Sequence, residues 1–417
     1  MALPDIADAL QALSLSDPEH LLFYPGGENA WLREKFNDIP RYLFRVFTPK
    51  SRGETNRIWT KSMDARDGNQ SSRVDIFARE SKEQVAGMLY RHLRWLPGPE
   101  DNLVSWTSSI LFALVYIFHL RANTRNGSAF DDISLCIIDT TEFPKEVFIR
   151  DMDLIRAYLQ YNADLEGFKS LRSRDDYYFG EYLSQGALKI EDKCGIVSAQ
   201  AIIDRGLYDL RHEFEEFSHW EPAPRPPWAN PVKEMRKILY QIGCPEEREQ
   251  KIEVGVSIAQ LFESRWVLPV AANLVALLPY PKEDMGIVKA FRGNVFTGSV
   301  LLPRTKFKLI YPDDSRDRSS PVKTKIMAYD TLPEVYKFSG IMRSIYTDFR
   351  ITKIKRHVLE AECQLRHAVI LAMNQTSECE DSDVLDYMQG VVTERLDMEA
   401  ALSQQLRNII TSRQVIA

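Results

Sequence analysis

The sequence contains few cysteines, and they are widely spaced. Five occur among 417 residues, and none forms a C-x-x-C pair: Cys136, Cys194, Cys244, Cys363 and Cys379. An odd number of scattered cysteines argues against a disulfide framework and favours a reducing compartment, with buried thiols. The first residues carry Asp5 and Asp8 where a secretory signal needs positive charge. We therefore expect an intracellular protein, cytoplasmic or nuclear.

Long hydrophobic runs are also missing. The most apolar segment, residues 110–118, is much shorter than the roughly 20 residues that a membrane span needs. It predicts a buried helix and no membrane association. A formal net charge of −6 argues against a general nucleic-acid binder, because phosphate binding usually requires a basic domain.

Several motifs of common enzymes are absent as well. The sequence has no G-x-G-x-x-G, no P-loop, no H-E-x-x-H and no G-x-S-x-G. These absences remove the usual support for a Rossmann dinucleotide site, nucleotide triphosphate hydrolysis, zinc proteolysis and α/β-hydrolase chemistry.

A proline-rich stretch divides the chain. Five prolines fall within residues 221–231, and proline fixes φ and removes a backbone donor, so neither a helix nor a central strand is expected there. Since 417 residues exceed one ordinary core, we predict two domains, residues 1–220 and 232–417.

The two predicted domains differ in pattern. The first shows a helix at 5–14, strands at 42–47, 103–107, 133–139, 177–183 and 188–197, helices at 81–95 and 110–122, and a polar loop at 60–75. The second shows helices at 231–242, 246–264, 267–278, 334–373 and 382–411, an extended insertion at 295–311 and a charged loop at 313–320.

Three elements of the first domain occur in a suggestive order. Arg45 lies in a strand, Ser105 and Thr107 lie in a strand that leads into a helix, and Glu181 lies in a late strand. This order resembles the R-S-E class of ADP-ribosyltransferases. More closely, the run from about residue 41 to 209 resembles an uncharacterised family of fungal proteins. The resemblance implies an α+β fold: a split-sheet, ADP-ribosyltransferase-like domain followed by a mainly helical domain.

The resemblance also implies roles for these residues, with NAD as substrate. Arg45 would bind the pyrophosphate, because a guanidinium binds phosphate oxygens bidentately. Ser105 and Thr107 would hold Arg45 and the nicotinamide-ribose wall. Tyr177 and Tyr178 could stack on nicotinamide. Glu181 would stabilise the oxocarbenium-like centre left when nicotinamide departs. Arg45, Ser105 and Glu181 should then converge on one cleft within about 10 Å.

Two departures from the family pattern bear on the acceptor. Trp106 stands where a small hydroxyl residue is usual, and Phe179 stands where arginine-modifying members have a second Glu or Gln. We therefore expect an NAD-dependent ADP-ribosyltransferase or NAD glycohydrolase, with an unknown macromolecular acceptor other than arginine. Alternatives stay open: a catalytically inactive interaction protein working through its helical half, or a nucleic-acid-modifying enzyme using the basic run 350–357. Tyrosines near strands are also often core residues, and long C-terminal helices are compatible with homo-oligomers.

Two sets of residues have metal-ligand spacing. His212, Glu216 and His219 would share one helix face, and Cys363 and His367 are four residues apart. The first set is more typical of a solvated acidic helix, and the second adjoins a predicted core stripe containing Leu359, Leu365 and Val369. We predict no metal site.

Overall fold

The computed structural model describes residues 19–125, 127–173, 177–241, 245–280, 287, 291, 332–376 and 382–414. The chain divides into two compact units, Met1–Ile345 and Tyr346–Ala417. The predicted domain boundary at residues 221–231 lies inside the first unit, and independent folding of its two sides stays a prediction. The predicted helix at 5–14, insertion at 295–311 and loop at 313–320 lie outside the described residues.

The first unit contains a curled antiparallel sheet. Its strands in the described residues are β1 (His20–Leu21), β2 (Tyr42–Phe47), β3 (Glu54–Thr55), β4 (Trp59–Lys61), β5 (Leu103–Thr107), β6 (Ser134–Asp139), β7 (Ile149–Arg150), β8 (Glu181–Lys189) and β9 (Cys194–Ser198). The order is β3-β4-β8-β5-β2-β6-β9, with β1 and β7 also paired to β8. The α+β prediction is therefore confirmed.

The junction between β2 and β5 is the narrowest in this path. β2 pairs with β6 along its whole length, from Tyr42 opposite Asp139 to Phe47 opposite Ser134. Its ladder to β5 consists of the single pair Phe44 and Thr107. The two strands therefore part beyond that point, where the Arg45 side chain donates to the backbone oxygen of Ser105 in β5.

The prediction of two separate strands around Gly186 was wrong. β8 runs through Gly186, which has a φ of +64°. A Cβ atom there would lie 2.6 Å from the backbone oxygen of Ser72, so glycine allows β8 and the segment at Ser72 to approach closely. The residue bends the strand rather than ending it. The predicted loop at 60–75 was also wrong in part, since it contains β4, a short helix and a 3₁₀ turn.

The described helices are α1 (Leu32–Lys35), α2 (Met63–Arg66), α3 (Lys82–Leu93), α4 (Ile110–Ala122), α5 (Asp151–Tyr158), α6 (Asp164–Arg172), α7 (Ala199–Asp204), α8 (Leu207–Leu210), α9 (Glu213–Ser218), α10 (Ala229–Ile238), α11 (Pro245–Ala259), α12 (Ser264–Val275), α13 (Pro333–Thr376) and α14 (Ser382–Gln414). Ser81 and Ser109 cap α3 and α4, each accepting a backbone N–H of the first turn.

Alternate residues of β5 and β8 enter two different apolar clusters. Leu103 and Leu183 pack with α3, α5 and α6. Val104, Trp106 and Tyr182 pack with the other cluster, on the opposite face. The face that carries α3, α5 and α6 is the one on which the polar residues of the candidate site lie.

Buried polar contacts join the residues on the two sides of the proline-rich stretch. Arg236 of α10 forms a salt bridge with Glu334 of α13 at 2.7 Å, and both side chains are buried. Arg236 Nη1 also donates to the backbone oxygen of Tyr178, and Ser109 Oγ donates to Glu334. The start of α13 is thus anchored to the strand-rich part of the chain.

The helices of the second unit expose many apolar side chains. Leu359 and Val369, placed in a core stripe by their spacing, are 63% and 44% exposed, so that prediction was wrong for both. The basic run 350–357 lies in α13, and the side chains of 350–355 lie outside the described residues. No helix in the described ranges combines the length and hydropathy needed to cross a bilayer.

Candidate functional site

The pairing of β5 with β8 brings Ser105 and Glu181 together. Thr107 lies directly opposite Glu181 in the ladder, and Ser105 is two residues away on the same face. Ser105 Oγ donates a hydrogen bond to Glu181 Oε1 at 2.6 Å. Both side chains are partly exposed, so the pair can be reached from the surface.

Arg45 joins this pair through the backbone. Its Nη1 donates to the carbonyl oxygen of Ser105 at 2.9 Å, and its Nε donates to Thr55 Oγ1 at 3.0 Å. The ladder places Phe44, Thr107 and Glu181 on one face, so Arg45 leaves β2 on the other. The guanidinium therefore lies at the parting of β2 and β5. The three predicted residues are connected, but Arg45 does not approach Glu181 from the same face.

A histidine and an aspartate that sequence reasoning missed contact Ser105. His92 Nε2 is 2.8 Å from Ser105 Oγ, and His92 Nδ1 is 2.7 and 2.8 Å from the two carboxylate oxygens of Asp101. Asp101 is held in turn by the backbone N–H of Leu103. Since His92 lies in the last turn of α3, the helix dipole favours its charged form.

The other oxygen of Glu181 is engaged by Arg172. Arg172 Nη2 donates to Glu181 Oε2 at 2.6 Å, and Nη1 forms an ion pair with the fully buried Asp151. The guanidinium lies over the Phe168 ring at 4.5 Å. Arg172 ends α6 and Asp151 begins α5, so each charge has the sign that its helix end favours.

These contacts form one chain of hydrogen bonds, which we call the Ser105–Glu181 network. It comprises Asp101, His92, Ser105, Glu181, Arg172 and Asp151. Formal charges alternate along it if His92 is protonated. An alternation of this kind offsets part of the cost of removing charges from water.

Burial and the neighbouring charges shift the pKa values of the network. Burial lowers the pKa of His92, but the Asp101 carboxylate outweighs it, and the net shift is upward. Burial raises the pKa of Asp101, and His92 reverses this so that the net shift is downward. Burial raises the pKa of Asp151 against the opposing effect of Arg172. These shifts favour an imidazolium–carboxylate pair at His92 and Asp101.

Tyr116 of α4 borders the same site. Burial raises its pKa to about 12, partly offset by Arg45, with Glu181 adding to the rise. The phenol is therefore neutral at physiological pH. Its ring stacks on His119 and lies 5.3 Å from Trp95, which gives the site an aromatic border.

Two residues proposed for NAD contact are buried. Thr107 is 5% exposed, and its hydroxyl donates to the backbone oxygen of Phe179 at 2.7 Å. Tyr178 is 1% exposed, and its backbone oxygen accepts from Arg236. In this conformation Thr107 supports the strand leading to Glu181, and the Tyr178 ring is covered.

The two departures from the family pattern have packing roles. Trp106 is buried in the opposite face of the sheet, and its Nε1 donates to Ser184 Oγ at 3.0 Å. Phe179 lies in an aromatic cluster, 4.8 Å from Trp228 and 5.4 Å from Phe112 between ring centroids. Neither side chain offers a group for catalysis.

The residues with metal-ligand spacing do not assemble. His212 is 75% exposed on its side chain and lies 4.0 Å from Glu216, while His219 Nδ1 contacts the backbone oxygen of Glu215. Among the described residues, no cluster of three or more His, Cys, Asp or Glu side chains has the arrangement of a metal site.

A weak sequence signal for His92 existed. It lies in the last turn of the predicted helix at 81–95, and the turn at Pro97-Gly98-Pro99 returns the chain into the strand carrying Ser105. Short reversals of this kind place flanking residues close together. Arg172 and Asp151 had no comparable signal, because their segment carried no predicted element.

One family model matches the chain. Residues 38–191 match the model described as a domain of unknown function (DUF7587). The match confirms the predicted relationship to an uncharacterised domain family, and it includes Arg45 and the whole Ser105–Glu181 network. No curated protein and no solved structure matches the chain.

Proposed function

We propose that the region 38–191 binds NAD and breaks its bond to nicotinamide, as an ADP-ribosyltransferase or NAD glycohydrolase with a non-arginine acceptor. The observation that carries this proposal is the 2.6 Å hydrogen bond from Ser105 to Glu181, with Arg45 attached to the same residue. The family resemblance implies an arginine, a serine and a glutamate in this order along the chain. Ser105 contacts both of the others, although Arg45 leaves its strand on the opposite face from Glu181.

The proposed reaction requires one carboxylate in a fixed position beside the ribose carbon. When the ribose–nicotinamide bond breaks, nicotinamide leaves with the bonding electrons and its ring becomes neutral. The ribose carbon is left oxocarbenium-like, and the Glu181 carboxylate would stabilise it. Water or the acceptor then forms the new bond and loses a proton. Ser105 would position Glu181, and Arg45 would bind a phosphate oxygen after releasing the Ser105 carbonyl.

The surroundings of Glu181 support an acceptor other than arginine. Phe179 is packed among aromatic rings and offers no hydrogen bond to a guanidinium. The chain's own Arg172 already lies between Glu181 and Asp151. An arginine side chain would have to displace it, whereas water or a hydroxyl is small enough to approach without doing so.

The sheet supports the proposal at a coarser level. A split-sheet ADP-ribosyltransferase fold requires two parts of a sheet that separate around a ligand. The single-pair junction of β2 and β5, with Arg45 at the parting, is compatible with such a fold.

The first prediction concerns nicotinamide release from NAD by the purified chain. Glu181→Gln keeps the shape but removes the charge, so release should fall about 10²–10³-fold, as for loss of one electrostatic contact. Glu191→Gln is the matched control, because Glu191 pairs with Lys189 at the partly exposed end of β8. Agmatine should leave the wild-type rate unchanged.

Three results would count against this function. Equal rates for wild type and Glu181→Gln would remove Glu181 from the mechanism. Strong stimulation by agmatine would overturn the argument from Phe179. No release from the wild type, with NAD still bound in calorimetry, would favour the alternative below.

A second candidate is a catalytically inactive interaction protein. Arg172 partly neutralises Glu181, and Thr107 and Tyr178 are covered. The second unit exposes large apolar side chains, among them Leu359 at 63% and Tyr387 at 75%. Apolar surface of this extent is typical of partner-binding regions.

A further inference from the structure

The hydroxyl of Ser105 has one proton and two neighbours that can take it. His92 Nε2 lies 2.8 Å away and Glu181 Oε1 lies 2.6 Å away. A neutral His92 that gives its Nδ1 proton to Asp101 leaves Nε2 as an acceptor. Ser105 would then donate its proton to His92, and Glu181 would receive no hydrogen bond from Ser105, because both oxygens of that contact would be acceptors. A protonated His92 donates through both nitrogens, and Ser105 can then donate to Glu181.

The contacts of His92 favour the second arrangement. Both oxygens of Asp101 lie within hydrogen-bond distance of Nδ1, and the ring lies at the C-terminal end of α3. With Asp101 and Glu181 both ionised, only a charged His92 makes every contact along the network a donor facing an acceptor. Each of these features stabilises the imidazolium.

The charged and titratable groups around His92 come from several elements. Asp101 and Glu181 raise its pKa, and Arg45 lowers it, with burial as the largest opposing effect. Further from His92, Arg172 and Asp151 interact electrostatically with Glu181, and Tyr116 interacts with Arg45. Arg52 interacts in the same way with Asp101. The carboxylates outweigh the cations, and the pKa of His92 is raised.

We propose that the His92 imidazolium directs the Ser105 hydroxyl proton onto Glu181, which makes His92 a positioning residue for that carboxylate. The catalytic part of this inference rests on the proposed NAD chemistry. The proton arrangement stands without it. His92 holds Ser105, and Ser105 donates to Glu181 Oε1 while Nε2 of His92 carries a proton. Arg172 holds the other oxygen, Oε2, in either state.

Histidine-selective ¹⁵N NMR of the full-length chain tests the arrangement directly. The imidazole nitrogen shifts of His92 should show an imidazolium with a pKa above the ordinary value of 6.5. A neutral ring with an unprotonated Nε2 below that pH would overturn the proposal. No substitution is needed for this measurement.

Substitutions then test the link through Ser105. Ser105→Ala and Glu181→Gln should each lower the pKa of His92, because each removes a contact or charge that favours the imidazolium. Ser105→Thr should retain the shift. His119, whose Nδ1 contacts the backbone oxygen of Pro226, serves as the internal reference. An unchanged His92 in both of the first two variants would overturn the link.

A pair of His92 variants tests the role in catalysis. His92→Gln can present a donor near the position of Nε2 and does not titrate, whereas His92→Asn is too short to reach Ser105. Wild-type nicotinamide release should fall as pH rises through the His92 pKa. His92→Gln should lose that dependence, and His92→Asn should be slower by about 10-fold or more at every pH. An identical pH profile for wild type and His92→Gln would overturn the positioning role.

The failures are distinguishable. If the wild type releases no nicotinamide, the proposed function fails, and the NMR measurements still decide the proton arrangement. The Asp101–His92–Ser105 geometry also matches that of a serine nucleophile with its base. Labelling of Ser105 by a fluorophosphonate, dependent on His92, would show that the serine proton goes to His92 and would overturn the proposal.

Discussion

Asp101 and His92 contribute to the stability of the folded chain in two ways: by their direct contact and by linking proton binding at His92 to folding. The folded-state pKa of His92 is raised, so the folded chain holds this proton more tightly than the unfolded chain does. The stabilisation is fully present below the unfolded value of about 6.5 and is lost as pH rises through the folded pKa. Residues of the candidate site can therefore also make folding depend on pH.

Replacing Asp101 with Asn tests this contribution. The free energy of unfolding of the wild type should decline as pH rises from about 6.5 through the raised pKa of His92. In Asp101→Asn the decline over that window should be smaller, because the carboxylate that raises the pKa of His92 is gone. Urea unfolding at several pH values measures the difference in slope.

The matched control is Asp67→Asn. Asp67 is paired with its exposed neighbour Arg66, so the pH slope should match that of the wild type in this window. Parallel slopes for Asp101→Asn and wild type would remove the coupling between Asp101 and His92.

Among the elements, α10 and the start of α13 depend on one buried ion pair. Arg236 and Glu334 are both buried, and Ser109 and the backbone of Tyr178 complete their hydrogen bonds. Removing one member leaves a buried charge without its partner. The free-energy cost of that unpaired charge exceeds the net stabilisation that the intact pair provides. The contact therefore helps to attach α10 and the start of α13 to the strand-rich part of the chain.

Glu334→Ala should lower the free energy of unfolding by about 3–5 kcal/mol, as found for broken buried pairs. Glu234→Ala, which removes an exposed partner of Lys237, should cost at most about 1 kcal/mol. Urea unfolding provides both values. Similar costs for the two substitutions would show that the buried pair does not anchor α13.

The same pair of variants bears on the predicted domain boundary. If Arg236 and Glu334 tie the two sides together, residues 221–231 should resist limited proteolysis in the wild type and be cut faster in Glu334→Ala. Rapid cleavage of the wild type into two stable fragments would support separate domains at 1–220 and 232–417.

At the scale of the molecule, the second unit differs from the first in its surface. Its helices expose large apolar side chains at positions that include Leu359, Ile370 and Leu402, with exposures of 63%, 55% and 57%. Long helices with exposed apolar residues are typical of chains that associate. The first unit contains the Ser105–Glu181 network, so the proposed chemistry and the predicted association fall in different units.

We predict that the full chain self-associates through the second unit. Sedimentation velocity should show a mass that rises with protein concentration. A triple variant, Leu359, Ile370 and Leu402 each to Gln, should sediment as a monomer. A control with Ile58→Gln, an exposed apolar residue of the first unit, should behave as the wild type. A monomeric wild type at all concentrations would leave a different protein as the partner.

Local sequence determined several of the longer elements of the first unit. The strands at 42–47 and 103–107 and the helix at 110–122 were predictable, because proline boundaries, apolar runs and the Ser109 cap act within a few residues. The order of Arg45, Ser105 and Glu181 was visible for the same reason. Gly186 misled the prediction, because a glycine can mark either a bend within a strand or the end of a strand. The close approach of the Ser72 backbone, which shows that Gly186 lies within a continuous strand, is visible only in the structure.

Tertiary structure decided which side chains meet. Hydrogen bonds between His92 and Ser105, and between Arg172 and Glu181, depend on how α3 and α6 pack against β5 and β8, and side-chain spacing along the chain does not carry that information. Strand register likewise decided that Arg45 and Glu181 leave the sheet on opposite faces, since a shift of one residue would reverse the face. The sequence alone determined the local elements named above. Long-range packing determined which charged and polar groups surround Glu181, because these groups come from segments far apart in the chain. The electrostatic environment of a carboxylate depends on the groups that the fold places near it.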